Sequence, residues 1–473
     1  MNILIATAEA WPFVKVGGLG DVAGALPKAL KERGVDARVI MPQYKGIPSS
    51  MKKSISHKID FYINLGWRRQ YCGINQVEHE GVIFYFIDNE YYFGREDVYG
   101  HYDDGERFAF FSKAVLEAIP YLDFKIDVIH CNDWHTALIP VLLNNQYKCR
   151  DYYTSVKTLY TIHNLNYQGI MPQGTLMNLL GIGFDEKLEY HGCENLAKGG
   201  LSYSDGISAV SPSYADEIQE PSGGEGLDGV LRERSSKLWG ILNGIDYEAY
   251  NPENDKCIFK TYNLNTLHER RENKLNLQEE VGLPQKEDVL LIGMVSRLVE
   301  QKGLNLVEQS LDYLSGMDVQ LIVLGSGEKK YEDMFRNAAG RYKEKVAALI
   351  GFSDGLARRI YAGADLFLMP SLVEPCGLSQ LIALRYGAIP LVRATGGLKD
   401  TVHSFNPHTG EGNGFSFPSY RAEDMVKTIG KVMELYKNQD AWQRLQKNAM
   451  SEDYSWSRSA HEYAKLYQSL IGQ

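Results

Sequence analysis

Short apolar runs with strand character alternate with amphipathic stretches of helical period from one end of this 473-residue chain to the other. In the first half the strand-like runs fall at 3–7, 37–41, 82–87, 128–130, 157–163, 206–210 and 238–242, with helical patterns near 22–33, 107–119 and 136–145. In the second half, runs at 290–295, 320–325, 345–350, 366–370 and 389–393 alternate with helical patterns near 304–314, 329–339, 355–362 and 378–386. Strands that are apolar throughout need cover on both faces, and a strand–helix–strand order supplies it. The pattern predicts a parallel sheet in each half. Domains usually run ~100–200 residues, so a chain of this length is expected to divide into two. The expected boundary is the turn-rich Asn243-Gly244-Ile245-Asp246, giving domains at 1–245 and 246–455, with a helix at 456–473 returning to the first. Connections at 91–104 and 214–228 are longer than usual, and long loops tend to be functional.

Charge narrows the partners. A formal net charge of -10 argues against nucleic acid or an anionic membrane, so any anion site must be a local patch. Six cysteines without a C-x-x-C pair fit reduced thiols better than a disulfide frame or a zinc site. The N-terminus, MNILIATAEAW, has no basic region ahead of its apolar stretch and reads as a first strand. No apolar run approaches the ~20 residues of a membrane helix, and a cytoplasmic protein is expected.

One short loop occurs twice, as Gly17-Gly18-Leu19-Gly20-Asp21 behind Lys15 and as Gly396-Gly397-Leu398-Lys399-Asp400. Glycines let backbone N–H groups approach an anion, and a helix start adds a favourable field. The two copies suggest a cleft between domains that grips a phosphate-bearing ligand. The first copy also satisfies the dinucleotide fingerprint G-x-G-x-x-A. That fingerprint should follow the first strand at once and be answered by an acid ending the second. Here residues 10–16 intervene and the second strand ends Met41-Pro42-Gln43, so a redox site is not expected. The competing role for this loop is tight packing, with Lys15 solvated.

Arg297 and Lys302 follow the strand at 290–295, the end at which open α/β sheets bind ligands. A fork and a point charge before a helix start suit a diphosphate; a surface pair beside Glu300 is the alternative. Glu374-Pro375-Cys376-Gly377-Leu378 follows the strand at 366–370 and opens a helix. The N–H groups of Cys376, Gly377 and Leu378 are expected to face the ligand, with Glu374 either on sugar hydroxyls or capping the helix. Cys376 has no neighbouring His to activate it and reads as a packing residue. Asp133-Trp134-His135 follows the strand at 128–130, and His163-Asn164 ends the strand at 157–163. These clusters are either structural or part of a site; His130, Asp133, His135 and His163 lack a compact metal spacing.

Taken in order, Lys15 through Asp21, His130 through His135, Thr161-Ile162-His163-Asn164, Asn243 through Asp246, Ser296-Arg297-Leu298 with Gln301-Lys302-Gly303, Glu374 through Leu378, and Thr395 through Leu398 resemble the bacterial glycogen synthase and plant starch synthase family. Each motif alone is weak, but the ordered set covers nearly the whole chain. The resemblance implies a GT-B fold of two Rossmann-like α/β domains. It further implies retaining transfer of glucose from ADP-glucose to the 4-hydroxyl at the non-reducing end of an α-1,4-glucan such as glycogen or a maltooligosaccharide. No metal or cofactor is implied. Carried over residue by residue, Glu374, His163, Lys302 and Arg297 form the catalytic set. Lys15, Gly18, Asp133, Asn164, Asn243, Cys376, Gly377, Leu378 and Ser379 form the substrate-binding set.

This chain departs from the family pattern at Val16 and Ser379, where Thr is common, and neither change implies loss of activity. Two rivals remain: another GT-B enzyme using a UDP-sugar, and a non-catalytic glucan-binding protein on the same scaffold. The second would be expected to lose Lys15, Arg297, Lys302 or Glu374, and all four are present. The residues do not state an oligomeric state.

Overall fold

The computed structural model describes residues 1–472, which fall into two compact units. One comprises Met1–Asn243 together with the C-terminal helix Trp456–Ile471; the other is the continuous segment Gly244–Ser455.

The first unit is built on nine strands: β1 (Asn2–Ala6), β2 (Asp36–Pro42), β3 (Ser56–Leu65), β4 (Arg68–His79), β5 (Val82–Asp88), β6 (Val128–Asn132), β7 (Lys157–Ile162), β11 (Gly206–Ala209) and β12 (Leu238–Gly240). A separate antiparallel sheet holds β8 (Ile170–Pro172), β9 (Glu189–Tyr190) and β10 (Cys193–Asn195). The main order is β12-β11-β7-β6-β1-β2-β5-β4-β3, parallel except for β4. The inner strands β1 and β6 are buried almost throughout, as their unbroken apolar runs require. The direction of chain progress reverses between β1 and β6, so their carboxyl ends form the switch point at which doubly wound sheets bind ligands.

The hairpin β3–β4 was absent from the sequence expectation. In β3 Ile63 and Leu65 are buried between exposed neighbours, and the buried run of β4, Cys72 to Asn75, includes Gly73 and Asn75, while Lys58, Asp60, Tyr62 and Arg69 lie on the other face, all of which dilutes the apolar signal. The helix expected at 136–145 is broken into a 3-10 turn (Trp134–Thr136), an α turn (Leu138–Leu142) and a π turn (Leu143–Tyr147).

Helix Trp456–Ile471 packs on helix Gly18–Lys31. It is held by Arg33 Nε to the Ser457 carbonyl at 3.1 Å and Ser459 Oγ to the Leu242 carbonyl at 2.6 Å. Tyr467 Oη lies 2.8 Å from His130 Nδ1, and His130 Nε2 lies 2.6 Å from Thr161 Oγ1, so both ring nitrogens of this fully buried histidine are engaged.

The second unit carries β13 (Leu290–Val295), β14 (Val319–Gly325), β15 (Val346–Ile350), β16 (Leu366–Met369), β17 (Ile389–Arg393) and β18 (Phe415–Phe417). All pair in parallel, in the order β15-β14-β13-β16-β17-β18, with the switch point between β13 and β16. Strand β18 and helices Ala422–Tyr436 and Gln439–Ser451 complete the unit beyond the elements expected from sequence. No helix among the described residues is long and apolar enough to cross a membrane.

Candidate active site

In the second unit the loops after β13 and β16 meet. Chain direction forces Gly303 into the left-handed region (φ 71°), and a Cβ there would overlap the Pro370 carbonyl. This close approach, with Leu372 N–H donating to the Gln301 carbonyl at 2.9 Å, brings Lys302 to the loop that carries Glu374. Lys302 Nζ donates to Glu374 Oε2 at 2.7 Å, and Ser371 Oγ donates to the same oxygen at 2.9 Å. Glu374 is buried, with Oε2 doubly held and Oε1 carrying no hydrogen bond among the described residues. A carboxylate fixed in this way has one oxygen committed to the protein and one available to a ligand. The N–H groups of Gly377 and Leu378 have no protein acceptor among the described residues. Arg297 is exposed and has no ion pair among the described residues. Phe352, just past β15 at this same end of the sheet, is 86% exposed.

In the first unit, Lys15 pairs with Asp21 at 2.7 Å. The helix Gly18–Lys31 starts without a side-chain cap, leaving the N–H groups of Gly18 and Leu19 without acceptors among the described residues. Glu9 organises this loop. Its carboxylate accepts from the Val16 N–H, from the Gly17 N–H at 3.1 Å and from Tyr99 Oη at 3.2 Å. Burial raises the Glu9 carboxyl above its ordinary range, opposed by those hydrogen bonds. Glu9 was missed from sequence because it lies inside the run taken as strand and turn.

After β6, Asp133 adopts a positive φ of 54°. Its Oδ1 accepts the His163 N–H at 2.8 Å, joining the ends of β6 and β7. Burial pushes the Asp133 carboxyl up to about 7, against the pull of the N–H groups of His163 and Asn164. His163 Nε2 donates to Asn132 Oδ1 at 2.9 Å, since the Asn132 amide nitrogen is already turned to the carbonyls of Ala6 and His130. The ring is therefore the Nε2–H tautomer with Nδ1 as acceptor, and burial lowers its pKa to about 3. Asn164 Oδ1 accepts the Asn166 N–H at 3.1 Å, and Asn243, after β12, buries an Oδ1 with no hydrogen-bond partner among the described residues.

A sequence profile for the starch synthase catalytic domain matches residues 2–233, and one for group 1 glycosyl transferases matches residues 276–450. Proteins named glycogen synthase from Bacillus cereus, Geobacillus thermodenitrificans and Desulforamulus reducens are 54%, 52% and 50% identical across all of this chain, covering 100%, 98% and 99% of their own. The chain belongs to the glycogen synthase family.

Within that family the GT-B fold is shared with the catalytic domain of starch synthase IV from Arabidopsis thaliana, solved with ADP and acarbose bound. The two match with a TM-score of 0.91 at 32% identity, over 100% of this chain and 99% of the other. Sucrose-phosphate synthase from Thermosynechococcus elongatus, at 15% identity and a TM-score of 0.63, shares the fold alone.

One sequence expectation for this glycogen synthase family member needs correction. The second Gly-Gly-Leu loop does not cradle an anion. Gly396 and Gly397 are buried, Gly397 N–H donates to the Glu374 carbonyl at 3.1 Å, and a Cβ on Gly397 would overlap the Cys376 backbone. The loop braces residues 374–376 from behind. Ser379 is the first residue of helix Ser379–Arg385 and is half-buried. Cys376 is buried, as a packing residue would be.

Proposed function

We propose that this enzyme elongates α-1,4-glucan by retaining transfer of glucose from ADP-glucose to the 4-hydroxyl of the non-reducing end. The observation that carries the proposal is Glu374 clamped through Oε2 by Lys302 and Ser371 beyond the β13–β16 switch point, with Arg297 exposed beyond β13. Breaking a sugar–diphosphate bond builds negative charge on the leaving nucleotide and positive charge on the sugar. In the second unit Lys302 and Arg297 answer the negative charge; Lys15 and the Gly18 N–H are groups of the same kind in the first. Glu374 Oε1 and the Gly377 and Leu378 N–H groups hold the glucose and balance its charge. Neutral His163 offers Nδ1 to a sugar hydroxyl, and the exposed face of Phe352 stacks on the base. A relative solved with ADP and acarbose supports the choice of nucleotide and acceptor chemistry.

The test is incorporation of labelled glucose into glycogen from ADP-glucose and from UDP-glucose in parallel. Preference for ADP-glucose is expected; incorporation from UDP-glucose alone would overturn the donor assignment. We further propose that three cationic side chains make a divalent metal unnecessary, so turnover is expected to persist in excess chelator. Loss of activity in chelator with recovery on adding a divalent ion would refute that. A cytoplasmic location is proposed on the acidic net charge and the absence of disulfides among the described cysteines.

A further inference from the structure

Behind the loop that carries Glu374 lies a glutamine to which no role has yet been given. Gln380, the second residue of helix Ser379–Arg385, is fully buried. Its Nε2 donates to the Cys376 carbonyl at 3.0 Å and to the Gly377 carbonyl at 3.0 Å, and Thr401 Oγ1 lies 3.2 Å away. The Thr401 hydroxyl gives its own proton to the Gly397 carbonyl at 2.6 Å, so toward Gln380 it can only accept. Three acceptors on one side fix the amide with its NH2 group facing them. Thr401 is fixed in turn, because its carbonyl accepts from Tyr454 Oη and from Asn413 Nδ2 at 2.9 Å each. Gln380 Oε1 is left buried with no hydrogen-bond partner among the described residues, a penalty that an apolar residue of similar size would avoid. The amide also lies flat against Gly377. That glycine is left-handed (φ 74°), and a Cβ on it would stand 2.3 Å from Gln380 Oε1.

We propose that Gln380 is a positioning residue for glucose transfer, aiming the N–H groups of Gly377 and Leu378 at the glucose by holding the carbonyls of the same two peptides. Both peptides are trans, and in a trans peptide the C=O and the N–H point to opposite sides. A donor that draws the Cys376 and Gly377 carbonyls inward therefore turns the Gly377 and Leu378 N–H groups outward, where they have no protein acceptor among the described residues. Donors fixed before the ligand arrives need no reorganisation as charge develops on it. The unpaired Oε1 is then the cost of placing an amide where only its NH2 half is used. This inference rests on the glucan-elongating function proposed above.

Gln380→Met gives a direct test, because it keeps the length of the side chain and removes both donors. In the full-length enzyme kcat/KM for ADP-glucose is expected to fall roughly 10²-fold. The inhibition constant of AMP, which lacks the glucose and the phosphate bonded to it, should stay within about two-fold. A residue that only supported the fold would weaken both together. Thr401→Val, which leaves Gln380 in place but removes the acceptor that fixes its amide, should lower kcat/KM about three-fold with AMP again unchanged. An unchanged kcat/KM in Gln380→Met, or an AMP constant that weakens as far as kcat/KM falls, overturns the inference. Should Gln380→Met not fold, the same split in Thr401→Val supports it and the lack of a split overturns it. Wild-type protein that transfers no glucose from ADP-glucose would instead refute the functional proposal. The crystal structure of Gln380→Met then decides the positioning role: one of the two carbonyls should turn outward, and two unmoved peptides overturn it.

Discussion

Lys302 and Arg297 are both cations at the end of β13, yet they are held differently. Lys302 is half of a partly buried pair with Glu374, whereas Arg297 is exposed and unpaired among the described residues. If both serve a leaving diphosphate, Arg297→Ala should lower kcat by roughly 10²-fold or more with unfolding unchanged. Lys302→Ala should cost at least as much turnover and some stability too, because Glu374 is left with Ser371 alone. Steady-state kinetics beside thermal unfolding would check this, and near-normal turnover would remove that residue from the site. Asp133 makes a different prediction. The folded state keeps its proton up to about pH 7, whereas an unfolded Asp releases it near ~4. Between those values the folded state binds more protons, so this group's contribution to stability falls as pH rises and is flat above 7. His130, His135 and His163, each lowered to about 3, act oppositely and favour folding increasingly up to the ordinary histidine range. Comparing Asp133→Asn with wild type isolates the first effect. The variant's stability relative to wild type should rise from pH 4 to 7; parallel curves would refute the assignment.

The loop 15–20 works as a unit, because one carboxylate holds the Val16 and Gly17 N–H groups and leaves those of Gly18 and Leu19 outward. Glu9→Ala should therefore raise KM for ADP-glucose about ten-fold, and Glu9→Gln, which keeps an acceptor oxygen, should recover most of the loss. Equal effects of the two variants would reduce Glu9 to a packing role. These elements also show which parts of the molecule were legible in the sequence. Inner strands such as β1, β6, β13 and β16 are apolar runs bounded by polar turns, and the polar residues beyond their carboxyl ends, Lys302, Glu374 and Asp133 among them, stand at the two switch points. The amphipathic β3–β4 hairpin was not legible, since half its residues face water. Nor were Glu9 and Phe352, whose importance depends on what surrounds them in space and not on neighbours in sequence. The repeated Gly-Gly-Leu shows the converse: equal letters serve an open helix start at Gly18 and a backbone-to-backbone brace at Gly397.

At the scale of the whole molecule, the first unit is made from two separated pieces of chain. Helix Trp456–Ile471 contributes the fully buried Tyr463 and Tyr467 and partners His130 and Arg33. Deleting 456–473 should expose that face, orphan His130 Nδ1 at a cost of about 1–3 kcal/mol, and lower the unfolding temperature of the first unit. The second unit, continuous from Gly244 to Ser455, should keep its own transition in calorimetry. A single unshifted transition would overturn this. The same arrangement sets an order during synthesis. The segment made first is completed last, because its final helix leaves the ribosome only after everything from Gly244 onward has been translated. At ~5–20 residues per second that is a wait of roughly ten to fifty seconds, during which the nascent first unit lacks its last helix while the later-made second unit emerges whole.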